Sequence, residues 1–454
     1  MTYARSRIRT HQICTRALIT QRHVLRVPQY LDYNYLSMPY LRKTYNAAHT
    51  WLAAINAAAL HRQLPVQMCM ALPSDLMESV RFDAVTNYRS STDYGISDST
   101  LPLQPRDDNI NIGASSLLGF ALGLRPSKDV LWTMRPENCR GRTDEERAAC
   151  GGKGAGSNPG SNIELNAIVA TLSTGPVSLA DKAHATNVTI VRRCARRDGR
   201  ILQPDKPATA VDSMLIPSAW PSAKAAPPGM VWATSVGISG CTWHYVLSID
   251  VGTPWRIHAE DFYPAIPSQL HADGLYSSIP SPGGVSGADA PGAEVTDHSP
   301  PVDVEAVPSE GWVAHQWFTA HEPTRCTHGQ RALASGCVSA HVRSASDVPP
   351  LHNTRPIMMQ NDTYLFDLME LAPVVSGWVL LGEVGAYVRV SRVRFEAVSV
   401  SLAGLRAGLV GSRGEKVEVT ALRPVSSSTP ADWVVMVKSV TIGVSGKAEV
   451  VFES

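Results

Sequence analysis

The run 64–93, LPVQMCMALPSDLMESVRFDAVTNYRSSTD, sets an arginine and an aspartate four residues apart, Arg89 and Asp93, just past an apolar strand-like stretch. Those two residue types together can do acid–base chemistry. A guanidinium beside a carboxyl group favours the anion, whereas burial favours the neutral acid. A carboxyl group held between these opposing effects can give and take a proton. Arg89 has a second use, as a planar fork that orients Asp93 or hydrogen-bonds a ligand oxygen. Trp132, in the run DVLWTM, offers a flat aromatic face for stacking; its plainer role is core packing. Asp181, closing the run STGPVSLAD, either lines the same cleft or caps the helix that follows.

Side chains beyond strand ends share a cleft where the strands run parallel, so the elements must supply a parallel sheet. From residue 31 to about 215 the sequence alternates helix and strand patterns, as α/β units do. Leu41, Tyr45, Ala48, Leu52 and Ile55 recur at helical spacing, which predicts a helix over 39–64. Strands are predicted over 64–70, 82–88, 129–134 and 175–180, with helices over 112–122, 162–172 and near 186–196. The polar, glycine-rich segment 136–159 is too long for an ordinary connection. Its Gly151-Gly152-Lys153-Gly154 lacks phosphate-loop spacing and reads as a loop.

From residue 229 the grammar changes. Strand-like runs recur, WATSVGI, HYVLSIDV, WVLLGEV, AYVRVSRVRF, EKVEVTAL, WVVMVKSVTIGV and KAEVVF, parted by Gly, Ser, Pro and Asp, which is all-β, sandwich-like text. His244 within it reads as a half-buried structural histidine. A Pro, Gly, Ala and Asp-rich insert over 277–308 is expected to be disordered. The predicted organisation is a poorly ordered basic segment over 1–25, an α/β domain over 26–215 and a β-rich domain over 229–454.

Lys and Arg number 41 against 40 acidic residues, which gives no net field for nucleic acid or an anionic membrane, and neither is expected as a partner. No apolar run approaches the ~20 residues of a membrane helix, and no secretory signal core is present, so the chain reads as soluble. The first thirty positions hold six arginines and no acid, the composition of a transit peptide or of a chain that starts inside a longer ancestor. Cys139 with Cys150, and Cys326 with Cys337, are pairs eleven apart that either close loops as disulfides or remain thiols. Sequons at Asn187 and Asn361 suit a secreted or vacuolar protein, and the compartment stays open.

Several of these segments, LPVQMCMALP, VTNYRSSTD, DVLWTM, STGPVSLADK, RRDGRILQPDKPATAVDSM and WHYVLSIDV, resemble in consecutive order the family 36 glycoside hydrolases, the α-galactosidases and raffinose synthases. Gly175-Pro176-Val177 with Asp181-Lys182 is similar to the last barrel strand of the raffinose synthase branch, and Asp198 to Leu202 to the segment leaving the barrel. The resemblance spans roughly residues 30–255. It implies a partial (β/α)8 TIM-type barrel, about strands 4 to 8, followed by a β-sandwich-like C-terminal domain. The N-terminal β domain and first barrel strands of the family have no counterpart in this reading.

The activity so implied is retaining cleavage or transfer of α-galactosides, with no cofactor and no metal. Asp93 is the implied acid/base. Arg89, Cys69, Trp132 and Asp181 are the implied sugar-binding residues. The family nucleophile is an aspartate on the fourth strand, where this chain reads VLRVPQYLDY. Tyr30 stands near the expected position, and Asp32, two residues on, is the weak candidate. A retaining pair needs carboxyl groups about 5–5.5 Å apart. The alternative is a catalytically inactive carbohydrate-binding or structural protein, its open barrel edges covered by an oligomer.

Overall fold

A computed structural model of the chain describes residues 25–27, 43–69, 73–91, 112–133, 163–181, 183–213, 229–249, 251, 311–317, 331–333, 336–342, 366–424 and 433–453. The N-terminal segment to residue 24, the loop 136–159 and the insert 277–308 lie outside the described residues, as do Cys139, Cys150, Cys326 and Asn361.

The first half runs β1 (Leu25–Val27), α1 (Ala47–His61), β2 (Val66–Met68), α2 (Pro73–Ser79), β3 (Val85–Arg89), α3 (Gly113–Ala121), β4 (Arg125–Ser127), α4 (Ile163–Leu172) and α5 (Val188–Cys194). Strands β1 to β4 form one sheet in sequence order, and every pair is parallel, as Leu25 beside Val66, Tyr88 beside Met68 and Tyr88 beside Pro126 illustrate. Parallel neighbours need a crossover. Helices α1 and α2 lie between successive strands, and their apolar residues cover the sheet. Leu52 and Ala59 of α1 and Leu76 of α2 pack with Val66, Met68, Phe82, Tyr88 and Leu124.

Three boundaries differ from the sequence reading. Helix α1 starts at Ala47, after Asn46 in the left-handed region at φ 59, so Tyr45 precedes it and is 91% exposed rather than on the apolar face. The strand after α3 is Arg125–Ser127, earlier than the expected 129–134. Its composition hides it, because Pro126 cannot donate to a ladder and proline normally marks a turn or a sheet edge. The expected strands 129–134 and 175–180 shrink to a single parallel bridge, Leu131 with Leu179. Leu131 N donates to Ser178 O at 2.7 Å, and Ala180 N donates to Leu131 O at 3.0 Å.

The second half is β5 (Thr209–Ala210), β6 (Met230–Ile238), β7 (Cys241–Ile249), β8 (Trp312–Trp317), β9 (Arg331–Leu333), β10 (Gly336–Val342), β11 (Phe366–Val375), β12 (Trp378–Glu383), β13 (Phe395–Ser401), β14 (Gly404–Val410), β15 (Lys416–Pro424), β16 (Trp433–Thr441) and β17 (Lys447–Glu453). Ten strands make one antiparallel sheet along β16-β15-β12-β11-β7-β6-β5, with β8 also on β11 and β10 and β9 beyond it. A second sheet is β13-β14-β17. The β-rich half thus has the character of a sandwich. His244 on β7 is fully rather than half buried.

The run AYVRVSRVRF departs most from its expected form. Only its last residue, Phe395, enters β13; the segment 385–394 is a bent, largely buried connection. Alternating apolar and charged residues suggest a strand with its arginines in water. Here Arg389 and Arg394 are each 1% exposed. Close approach is possible because Gly382 has φ 84 and no Cβ, where a Cβ would lie 2.3 Å from the Arg389 carbonyl oxygen.

Helix α4 joins the two halves. Leu165 to Leu172 are all buried, and they share one core with Leu131, Ile190, Trp232, Trp243, Val388 and Val390. The loop after α4 is tight against β4. A Cβ at Gly175 would lie 2.2 Å from Pro126 O and 2.8 Å from Ser127 Cβ. Gly175→Ala is expected to lower unfolding stability by ~1–3 kcal/mol, because backbone rather than a flexible side chain must move. Urea titration would read this as a lower midpoint at unchanged slope.

Candidate functional site

The C-terminal ends of the parallel strands carry a buried polar framework. Gln67 on β2 donates from Nε2 to Ser127 Oγ at 3.0 Å, and Ser127 Oγ donates to the Tyr88 carbonyl on β3 at 3.0 Å. Three neighbouring strand ends are therefore fixed by side chains as well as by the ladder. The Tyr88 hydroxyl donates to Ser115 O at 2.6 Å, and burial pushes its pKa well above the ordinary tyrosine value, so it serves as a neutral donor. Ser115 Oγ returns a bond to Ser90 O at 2.8 Å.

Arg89, the last residue of β3, meets Asp129 just beyond β4. Nη1 lies 3.2 Å from Oδ2, and the two side chains are 8% and 14% exposed. Asp129 N in turn receives Ser91 Oγ as its acceptor at 2.9 Å. Four residues on, Thr133 makes a two-point contact with Asp181. Its N donates to Oδ1 at 2.8 Å and its Oγ1 donates to Oδ2 at 2.7 Å. Thr133 Oγ1 also accepts from Asn187 N at 2.7 Å. Asn187 is the N-cap of α5, its Oδ1 accepting from Thr189 N at 3.0 Å. The five-residue stretch 129–133 thus ties β3 to the start of α5.

Of the residues singled out in the sequence, Arg89, Trp132 and Asp181 fall on this edge. Trp132 is half-buried between Leu131 and Thr133. Cys69 follows β2 directly and is half-buried. Asp93 and Asp32 lie outside the described residues. Asp129 and Thr133 were missed. Asp129 was legible only as the start of a strand; the signal that finds it is its place past the end of the strand beside Arg89. Thr133 had no sequence signal at all, because its role depends on the Leu131–Leu179 bridge.

Among the described residues, no group of three His, Cys, Asp or Glu side chains could hold a metal ion, and no helix is long and apolar enough to cross a membrane. A surface hollow of 420 Å³ lies on the β13-β14-β17 sheet, lined by Glu396, Ser399, Arg406, Gly408, Lys447 and Glu449. Its charges neutralise one another, Lys447 with Glu396 at 2.7 Å and Arg406 with Glu449 at 3.9 Å, and it is on a different sheet from the strand ends described above.

The Arg89–Asp129 pair is buried enough that removing one partner strands the other charge. Arg89→Leu is expected to cost ~3 kcal/mol or more in chemical unfolding, and Arg89→Leu with Asp129→Leu to recover part of that loss. A double variant as unstable as the sum of the singles would refute the coupling.

No protein-family model matches this chain, and no match is found among curated proteins.

Proposed function

We propose that this chain is a carbohydrate-binding protein of the family 36 glycosidase kind, a partial (β/α)8 barrel that takes an α-galactoside at the C-terminal edge of its parallel sheet. The observation that carries the reading is the pairing at that edge. Arg89 with Asp129 and Thr133 with Asp181 place hydrogen-bonding groups just beyond successive parallel strand ends, with the half-buried Trp132 between them. Such edges host substrate in parallel barrels, and an aromatic face beside polar forks suits a pyranose. The ordered run of family-like segments supports the same reading from the sequence side.

In this proposal Asp93 is the acid/base, and turnover is weak or absent. A retaining reaction needs a second carboxylate free to attack the anomeric carbon. The two described carboxylates on the edge are committed elsewhere. Asp129 is paired with Arg89, and each oxygen of Asp181 holds a donor from Thr133. Tyr30 stands near the position where the family carries its nucleophile, which leaves Asp32 as the sole sequence candidate. The second reading, an active retaining α-galactosidase, requires Asp32 and Asp93 to come within the retaining separation.

Two measurements separate these readings. Ligand-observed NMR with galactose and raffinose should show binding that weakens about tenfold in Trp132→Ala, as loss of a stacking face implies. Hydrolysis of an aryl α-galactoside should not exceed that of Asp93→Asn. Absence of any galactoside binding would sink the carbohydrate reading, and turnover above the Asp93→Asn level would establish the active one.

A further inference from the structure

The near balance of charge over the whole chain hides an uneven division. Residues 257–310 hold nine acidic residues and no lysine or arginine, with Asp289, Glu294, Asp297, Asp303, Glu305 and Glu310 at the end of the run. With these nine taken from the total of 40, the rest of the chain carries 41 basic residues against 31 acidic ones. The acidic run lies outside the described residues, but both of its flanks are placed: Val251 follows β7 and Gly311 precedes β8. Both strands pair with β11, Ile249 beside Phe366 at one end and Trp312 beside Pro373 at the other. Residues 252–310 therefore start and finish at opposite ends of β11. At up to ~3.3–3.6 Å per residue they are long enough to reach any face of the β-rich half.

The surplus positive charge has a matching place, where three elements meet. The segment 385–394 is a strap between the two halves of the fold. Tyr387 N donates to Arg193 O of α5 at 3.1 Å, and its hydroxyl donates to Glu164 Oε1 of α4 at 3.2 Å. At the far end of the strap, Arg196 donates from Nη1 to the Val393 carbonyl at 2.6 Å, and Arg394 donates to Glu383 and Glu415, each at 2.7 Å. Two tight turns adjoin that end. One is 196–200, closed by Arg196 N donating to Arg200 O at 2.9 Å, with Gly199 at φ 85; the other is 411–415, with Gly414 at φ 75. Glu415 joins them, its Oε1 accepting from Arg197 N at 3.1 Å and its Oε2 from Ser412 N at 2.8 Å.

The carboxylates at this junction are bonded to its buried arginines. Glu383 and Glu415 hold Arg394, which is 1% exposed, and Asp198 accepts from buried Arg196 at 2.6 Å. The side chains left at the surface of the two turns are Arg197, Arg200 and Arg413, all exposed. Among the described residues Arg197 and Arg413 make no ion pair, and Arg200 has only Asp198, at 3.9 Å. Five arginines thus stand against three carboxylates, and the excess faces solvent.

We propose that the turns 196–200 and 411–415 form a docking surface for an acidic peptide, and that its occupant is the chain's own segment 289–310. Guanidinium forks suit carboxylates geometrically. One exposed pair contributes little, but several on one tether act together, because the tether makes each contact after the first an intramolecular event. A nucleic acid would have to displace a segment of its own sign that is always at hand.

Lys416, exposed beside Glu415, provides the reporter. Zero-length carbodiimide coupling on the full chain at low salt, mapped by mass spectrometry, is expected to join the Lys416 amine to carboxylates of 289–310. The yield should fall about threefold or more in the triple variant Arg197→Ser, Arg200→Ser, Arg413→Ser, and likewise in 1 M NaCl, where the screening length shrinks to ~3 Å. Circular dichroism of the triple variant should match that of the unaltered chain, since the three side chains hold no buried partner. In a mixture of isotope-labelled and unlabelled chains, the links should stay within one label. Absence of the link would overturn the proposal, as it would follow if the segment bound elsewhere, on the arginine-rich residues 1–30 for instance. A link of equal yield in the triple variant or at high salt would overturn it as well. Mixed-label links would assign the surface to a second copy and overturn the intrachain occupant.

Discussion

Everything in this fold depends on the burial of helix α4. A helix buried around its whole circumference satisfies its backbone internally but must be walled from water on every side. Eight consecutive residues, Leu165 to Leu172, are buried, so α4 needs walls all around. Leu131 and Ile190 supply part of the wall from the α/β half, and Trp232, Trp243, Val388 and Val390 supply the rest from the β-rich half. Leu131 and α5 thereby share one core with the sandwich-like half, while the parallel sheet packs with α1 and α2 in a core of its own.

Polar groups then set how that core is approached. Arg394 spans Glu383 and Glu415, Arg196 reaches Val393, and Arg193 pairs with Glu164 beside Tyr387, with its guanidinium 5.3 Å from the Trp317 ring centroid. Buried ion pairs add little net stability against an apolar alternative, but losing one partner is severe. They therefore specify one arrangement of the strap more than they strengthen it. The same logic applies at the strand ends, where Arg89–Asp129 and Thr133–Asp181 define shape.

How much of this was legible depended on whether a residue's neighbours in sequence were also its neighbours in space. β2 and β3 were readable because their apolar runs are bounded by turn residues, and α4 because its apolar stretch is long. β4 was not, because Arg125-Pro126-Ser127 has the composition of a turn, and its strand state comes from pairing with β3. β11 was missed because FDLMELAPVV lacks regular alternation, being buried on both faces. The strap was misread because alternation cannot distinguish an arginine in water from one paired inside a core. At the strand ends, Arg89, Trp132 and Asp181 stand after apolar runs in the sequence, whereas the contacts of Asp129 and Thr133 depend on pairings between distant segments.

The strap has a consequence for how the chain is made. Arg196 and Val393 are 197 residues apart, and Glu164 and Tyr387 are 223 apart. At ~5–20 residues per second, translation delivers the partner of α4 some tens of seconds after the helix itself. Contacts of such long range also carry a large loop-closure cost and form slowly. For that interval a largely apolar helix stands on the nascent chain with its wall incomplete, a sticky segment on the timescale of synthesis. The cell's means of shielding it, by holdase chaperones or by slow release from the ribosome, becomes part of what this sequence requires in order to fold.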